Sequence, residues 1–164
     1  MRPSALFVGA SVCAAIAAPA ATACPTGGQT PTRGPSVGKV HGNGKLWAAI
    51  PPSGVVTARP PSEGRLPTML PDGSVRDKVL HVGALPRDGK PRKLVIKGRR
   101  IDGEADPFRV VRSGGKTQRN LYWPGYLTYS APGCWKVVAS FGRGTRLAYI
   151  LDVRPPAEPE QSRR

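Results

Sequence analysis

Residues 134–141 have the sequence CWKVVASF and are followed by Gly142-Arg143-Gly144 and then by TRLAYILDV, residues 145–153. Every second residue in both runs is apolar: Trp135, Val137, Ala139 and Phe141 in the first, then Leu147, Tyr149, Leu151 and Val153 in the second. Successive side chains of a β-strand point to opposite faces, so each run presents one apolar face. A short glycine-containing loop between two such runs predicts a β-hairpin.

The second run also carries apolar residues on its other face, at Ala148 and Ile150. A strand that is apolar on both faces is typical of the interior of a sheet, so we expect this strand to have neighbours on both sides. Farther upstream, residues 75–82 and 93–101 show the same short β-type runs, and the first of these follows the turn sequence Pro71-Asp72-Gly73-Ser74. About seven to nine short strands separated by turn signals predict an all-β fold, a single antiparallel β-sandwich.

The composition divides the chain into four parts. Residues 1–23 combine Arg2, an apolar run and a small-residue stretch that ends in Ala21-Thr22-Ala23, which is the pattern of a cleavable signal peptide. Residues 24–44 are rich in proline and glycine and predict an irregular leader, and residues 154–164 predict a flexible tail. The β-sandwich domain is therefore expected over residues 45–153. The apolar run is too short to cross a bilayer comfortably, so we expect no transmembrane anchor after cleavage.

Two cysteines, Cys24 and Cys134, remain after removal of the signal. In an oxidising compartment two remaining cysteines usually pair, so we predict a disulfide between them in a secreted, periplasmic or cell-surface protein. The alternative is a lipoprotein anchored through Cys24, which follows a small-residue triplet. Bacterial lipidation signals usually have leucine three residues before the cysteine, and here that residue is Ala21. The disulfide is the preferred interpretation.

The mature chain is strongly basic. Removing Arg2 leaves 24 Lys and Arg residues against 10 Asp and Glu, a net charge of +14. Such a charge favours encounters with anionic polymers of the envelope or with another polyanion. The densest group of cations lies on the predicted strand 93–101, and we take four of them as the candidate binding residues, the basic stripe: Lys93, Lys97, Arg99 and Arg100. Strand alternation places the first three on one face, with Arg100 at the end of the strand.

Residues suited to catalysis are sparse. The two histidines, His41 and His81, lie in a glycine-rich turn and on a β-strand, and we interpret them as structural groups. Asp102, Glu104 and Asp106 form the one carboxylate cluster, without the glycine and carboxylate spacing of a calcium loop. No nucleophile elbow or phosphate-binding loop occurs. We therefore predict no catalytic residue, no metal and no cofactor.

Three segments carry a resemblance to a known family: HGNGKLW at 41–47, LVIKGRRIDGEADPFR at 94–109 and PGCWKVVASFG at 132–142. Together they resemble a family of uncharacterised exported bacterial proteins with a leading cysteine and a late Pro-Gly-Cys-Trp strand. In this chain residues 75–82 stand where that family has a tryptophan-rich stretch. The resemblance implies an Ig-like sandwich and a secreted or surface setting, and it implies no activity.

These observations favour an exported, non-enzymatic β-sandwich module that binds anionic envelope polymers. The alternative is a secreted enzyme or inhibitor, whose site would be assembled from residues far apart in the sequence. A pocket with convergent histidine or carboxylate groups would indicate the enzyme, because such groups perform general acid and base catalysis. A basic sheet surface without them would favour the binding module.

Overall fold

A computed structural model describes residues 23–26, 31–33, 39–86, 88, 90, 92–105, 108–112, 115–116, 120–142 and 144–157. The predicted signal peptide, apart from Ala23, lies outside the described residues, as do residues 158–164 of the predicted tail. No helix in the described ranges is both long and apolar enough to cross a membrane.

The described residues form twelve β-strands and one 3-10 turn, Pro61–Glu63. The strands are β1 Pro31–Arg33, β2 Lys39–Gly42, β3 Leu46–Ala49, β4 Val55–Thr57, β5 Thr68–Met69, β6 Val75–Ala84, β7 Leu94–Arg100, β8 Arg109–Arg112, β9 Gly115–Lys116, β10 Asn120–Tyr129, β11 Gly133–Phe141 and β12 Thr145–Arg154.

The strands make two sheets. The large sheet has the order β1-β2-β3-β6-β10-β8, with β5 added beside β6 and β9 beside β10. The small sheet has the order β4-β12-β11-β7, in which β4 runs parallel to β12 and the other neighbours are antiparallel. Residues from the facing sides of both sheets form one continuous hydrophobic core. The prediction of an all-β sandwich is confirmed, and β12 lies inside its sheet as its two apolar faces indicate.

The final hairpin supplies much of this core. All four alternate residues of β11 and all four of β12 that the sequence placed on one face are buried: Trp135, Val137, Ala139, Phe141, Leu147, Tyr149, Leu151 and Val153. The register places Trp135 opposite Leu151 and Val137 opposite Tyr149, so large side chains from both strands share the interior. Burying apolar area of this kind is the main favourable contribution to folding.

The large sheet begins before residue 45, the position at which the sequence predicts the start of the sandwich domain. Strand β2 lies within the predicted leader and pairs with β3, with His41 opposite Ala48 and Gly42 opposite Trp47. The Trp47 ring occupies the space that a side chain at position 42 would need, so glycine is required there for close packing. Gly42 therefore belongs to a packed strand, although the composition around it indicates an irregular segment.

The disulfide between Cys24 and Cys134 is present, with the two Cα atoms 5.5 Å apart. It connects the segment 23–26 to β11 across a sequence separation of 110 residues. The predicted pairing is confirmed, and the Cys24 sulfur is bonded to Cys134.

Peptide mapping of the protein from its native host tests the same bond. We expect a protease digest under non-reducing conditions to contain one linked species carrying Cys24 and Cys134, which separates into two peptides after reduction. A diacylglyceryl group on Cys24, seen as an added lipid mass on the N-terminal peptide, would contradict this expectation, because the modified sulfur cannot also form a disulfide.

Candidate anion-binding face

Strand β7 places its cations on the outside of the small sheet. Its residues alternate in exposure, with Leu94 and Ile96 buried and Lys97 and Arg99 exposed. The apolar residues pack into the core between the sheets, which forces the intervening lysine and arginine outward. The predicted phase of this strand is confirmed.

The register of the small sheet brings further cations beside them. Arg99 lies directly opposite Lys136 of β11, and Lys97 lies opposite Val138. Ser140 of β11 in turn lies opposite Arg146 of β12. These outward residues line an open groove of about 650 Å³, which we call the basic face: Val95, Lys97, Gly98, Arg99, Lys136, Val138, Ser140 and Arg146.

The four cations of the basic face have no anionic neighbour on it. None of Lys97, Arg99, Lys136 and Arg146 forms a salt bridge with a described residue, whereas four other arginines each pair with a carboxylate. Opposite residues on adjacent strands have Cβ atoms about 5 Å apart, and like charges at such positions destabilise a sheet. The Arg99–Lys136 pair therefore opposes folding, and a bound anion would relieve the repulsion.

Arg100 is not part of the basic face. Its Nε donates a hydrogen bond to the Asp102 carboxylate at 2.7 Å, and its guanidinium lies against Gly133 and Gly103. Partial burial by itself would raise the pKa of the Asp102 carboxyl. The hydrogen bonds from Arg100 and from the backbone of Cys134 outweigh this effect and lower the pKa. Side chains alternate along β7, so Arg100 points to the opposite side from Lys97 and Arg99. It lies against the loop that contains Asp102 and stabilises that loop. Lys93 is exposed and precedes the first residue of β7.

Sequence reasoning missed Lys136 and Arg146. Both residues alternate with the buried residues of the β11–β12 hairpin, so the pattern placed them on the outer face of that hairpin. Their proximity to β7 could not be read from that pattern, because it depends on which strand pairs with β11 and in what register.

The predicted carboxylate cluster does not converge on a site. Asp102 pairs with Arg100, Glu104 is exposed, and Asp106 lies outside the described residues. Within the described ranges no group of three or more His, Cys, Asp or Glu side chains is arranged to hold a metal ion.

His41 and Asn43 connect the two sheets. The His41 Nε2 donates to the carbonyl oxygen of Ala148 at 3.1 Å, and the Asn43 Nδ2 donates to the carbonyl oxygen of Arg146 at 2.8 Å. These carbonyls belong to a part of β12 that is not paired with β4, because β4 pairs only with residues 152–154. The His-Gly-Asn motif thus satisfies backbone acceptors at an open strand edge, a structural role as the sequence predicts.

A buried polar group lies between the sheets. His81 is 1% exposed, and its Nε2 lies 3.0 Å from the hydroxyl oxygen of Tyr149. Burial, together with a smaller effect of the positive charge of Arg112, lowers the pKa of His81 to about 4. His81 is thus fully buried and neutral at neutral pH, a structural group of β6 as the sequence predicts.

Asp77 lies on the same inward face of β6. Burial raises the pKa of its carboxyl to about 6, against the opposing effect of the Lys78 backbone N–H, which donates to Oδ1 at 2.7 Å. The Tyr129 hydroxyl is also buried, without a hydrogen-bond partner among the described residues. Burial raises the pKa of both Tyr129 and Tyr149, and the negative charge of Asp77 adds to the effect. Tyr129 and Tyr149 are enclosed in the core, Asp77 is partly buried, and none of the three belongs to the basic face.

Comparison of the chain with protein-family models, with curated proteins and with solved structures found no match.

Proposed function

We propose that this protein is an exported, non-enzymatic binding module that holds a polyanion of the cell envelope on the basic face. The observation that carries the proposal is the set of four cations on adjacent strands with no carboxylate among them. The sheet fixes the backbone positions of these cations, so their spacing is set before binding, while the long side chains still lose rotamer freedom when they engage an anion. The predicted signal peptide and the disulfide support an extracytoplasmic setting.

The composition of the basic face favours recognition of charge over recognition of a base or sugar ring. Its non-cationic positions are Val95, Gly98, Val138 and Ser140, and it contains no aromatic side chain. Stacking on aromatic rings is the usual way in which proteins hold unpaired bases. Phosphate, sulfate or carboxylate groups spaced along a polymer would instead meet the lysine and arginine head groups directly.

The strand order supports the Ig-like form of the sandwich. Such domains pair strands in the order A-B-E-D in one sheet and place C, F and G in the other. Taking β3, β6, β7, β8, β10, β11 and β12 as A to G reproduces both orders, and β4 lies beside G. In Ig-like domains the sheets serve as scaffolds for many kinds of binding, so this form carries no substrate by itself.

Binding measurements on a variant of the basic face test the proposal. The face variant combines Lys97→Gln, Arg99→Gln and Lys136→Gln, and the ligands are alginate, teichoic acid and duplex DNA between low and physiological salt. We expect the parent to bind at least one of them with an affinity that falls steeply as salt rises. If DNA is bound, the slope of log K against log salt should fall by about 2–3 in the face variant, since three phosphate contacts are lost.

The matched control removes the same charge from the other sheet. Arg76→Gln, Lys78→Gln and Arg109→Gln change three exposed cations on the outer side of the large sheet. This variant should keep most of the affinity, whereas equal losses in the two variants would indicate attraction to net charge alone and would contradict a defined face. The face variant should be at least as stable as the parent in a urea melt, because the Arg99–Lys136 repulsion is removed.

A further inference from the structure

The outer row of β7 combines cations with exposed aliphatic side chains. Val95, on the same face of β7 as Lys97 and Arg99, is 40% exposed, and Ile101, which follows the last residue of the strand, is 37% exposed. Among the described residues four large hydrophobic side chains are exposed, and these two lie in or directly after β7. The charged groups of a soluble polyanion would meet the cations, whereas a partner with an apolar layer beside its anionic groups would also meet these two aliphatic side chains.

The shape of the surface is that of a sheet face. Three antiparallel strands, β7, β11 and β12, present their outward residues side by side. From Val95 to Arg99 the outward row of β7 extends about 13 Å, and three strands span about 10 Å in the perpendicular direction. A broad, open surface of this kind suits a partner that is itself extended and planar.

We propose that the basic face docks on the surface of an anionic lipid bilayer. Lys97, Arg99 and Lys136 would lie among the lipid phosphates, while Val95 and Ile101 enter the boundary between head groups and acyl chains. The bilayer interface offers both environments at once, with anionic groups above an apolar layer. Each cation near such a surface contributes to attraction, and the aliphatic side chains add a contribution that salt does not screen. The inference rests on the proposed function, since it assigns the same face to one anionic partner.

Vesicle binding separates this inference from general polyanion binding. The flank variant, Val95→Thr with Ile101→Thr, keeps every charge and keeps β-branching while removing apolar surface. Its matched control is Val111→Thr with Tyr126→Thr, which changes the two exposed hydrophobic residues of the large sheet. Co-sedimentation is measured with phosphatidylcholine vesicles and with vesicles of two parts phosphatidylcholine to one part phosphatidylglycerol. Residues 1–23 are the same in all proteins, so any lipid affinity of that segment is common to them.

We expect the parent and the control to bind the phosphatidylglycerol vesicles at physiological salt and to bind phosphatidylcholine more weakly. The flank variant should bind the anionic vesicles about tenfold more weakly than the parent, with unchanged affinity for teichoic acid or DNA. Equal vesicle binding by the flank variant and the parent would overturn the inference. Binding of a soluble polyanion without vesicle binding would overturn it too and leave the proposed function standing, whereas the absence of both would remove the two together.

Discussion

Replacing Trp135 by alanine is expected to lower the free energy of unfolding by about 3–5 kcal/mol, the range for large aromatic side chains truncated in a core. Trp135 is 1% exposed, and its ring centroid lies 5.6 Å from that of Tyr129 and 6.1 Å from that of Phe108. Its Nε1 also donates to the carbonyl oxygen of Ala131 at 3.0 Å. The substitution therefore leaves both a cavity and an unpaired acceptor.

Denaturant melts followed by far-ultraviolet circular dichroism measure this loss without depending on tryptophan fluorescence. Trp135→Phe should lose less than Trp135→Ala, because it keeps one aromatic ring in the core while losing the N–H donor and part of the indole volume. Tyr126→Ala is the exposed control, with a side chain that is 41% exposed, and it should change the free energy of unfolding only slightly. A loss below about 1 kcal/mol for Trp135→Ala would contradict the burial of the ring.

The second large effect is a pair of opposing pH dependences in the core. The folded pKa of His81 is about 4, below its usual 6.5, so between these values the unfolded chain takes up a proton that the folded protein does not. Its contribution to stability therefore falls as the pH falls from 6.5 to 4. The folded pKa of Asp77 is about 6, above its usual 3.8, so the folded protein takes up the proton first. Its contribution rises as the pH falls from 6 to 3.8.

The two contributions have similar size, about 3 kcal/mol each at 1.36 kcal/mol per pKa unit, and they nearly cancel in the parent. Asp77→Asn should therefore become less stable as the pH falls from 6.5 to 4, and His81→Gln should become more stable as it falls from 6 to 4. At pH 7.5, where Asp77 is charged in the parent, Asp77→Asn should be more stable than the parent by about 2–3 kcal/mol.

Urea melts at several pH values measure these slopes. The groups that face His81 are Tyr149 and Arg112, and those around Asp77 are Tyr129, Tyr149 and the Lys78 backbone. The direction in which the free energy of unfolding changes with pH remains informative even if a substitution lowers stability at every pH. Parallel slopes in the two variants would contradict the opposite pKa shifts of His81 and Asp77.

Local periodicity in the sequence was sufficient to predict the final hairpin and the strand near residues 93–101, together with the side chains that face inward from them. In the final hairpin, residues with a period of two fill the core, because burying a continuous apolar face is possible only in that phase. The same alternation placed Lys97 and Arg99 outward, and the cysteine count led to the disulfide between Cys24 and Cys134. These features follow from local periodicity or from the small number of available partners.

Contacts between residues on different strands and sheets could be learned from the tertiary structure alone. The pairing of β7 with β11 brings Arg99 to Lys136, while the even position of Arg100 turns it to Asp102. The pairing of β2 with β3 makes a strand of a glycine-rich segment, because its backbone hydrogen bonds and the close approach of Trp47 outweigh its irregular composition. Register and sheet order depend on contacts between distant segments, which the periodicity of a single strand does not contain.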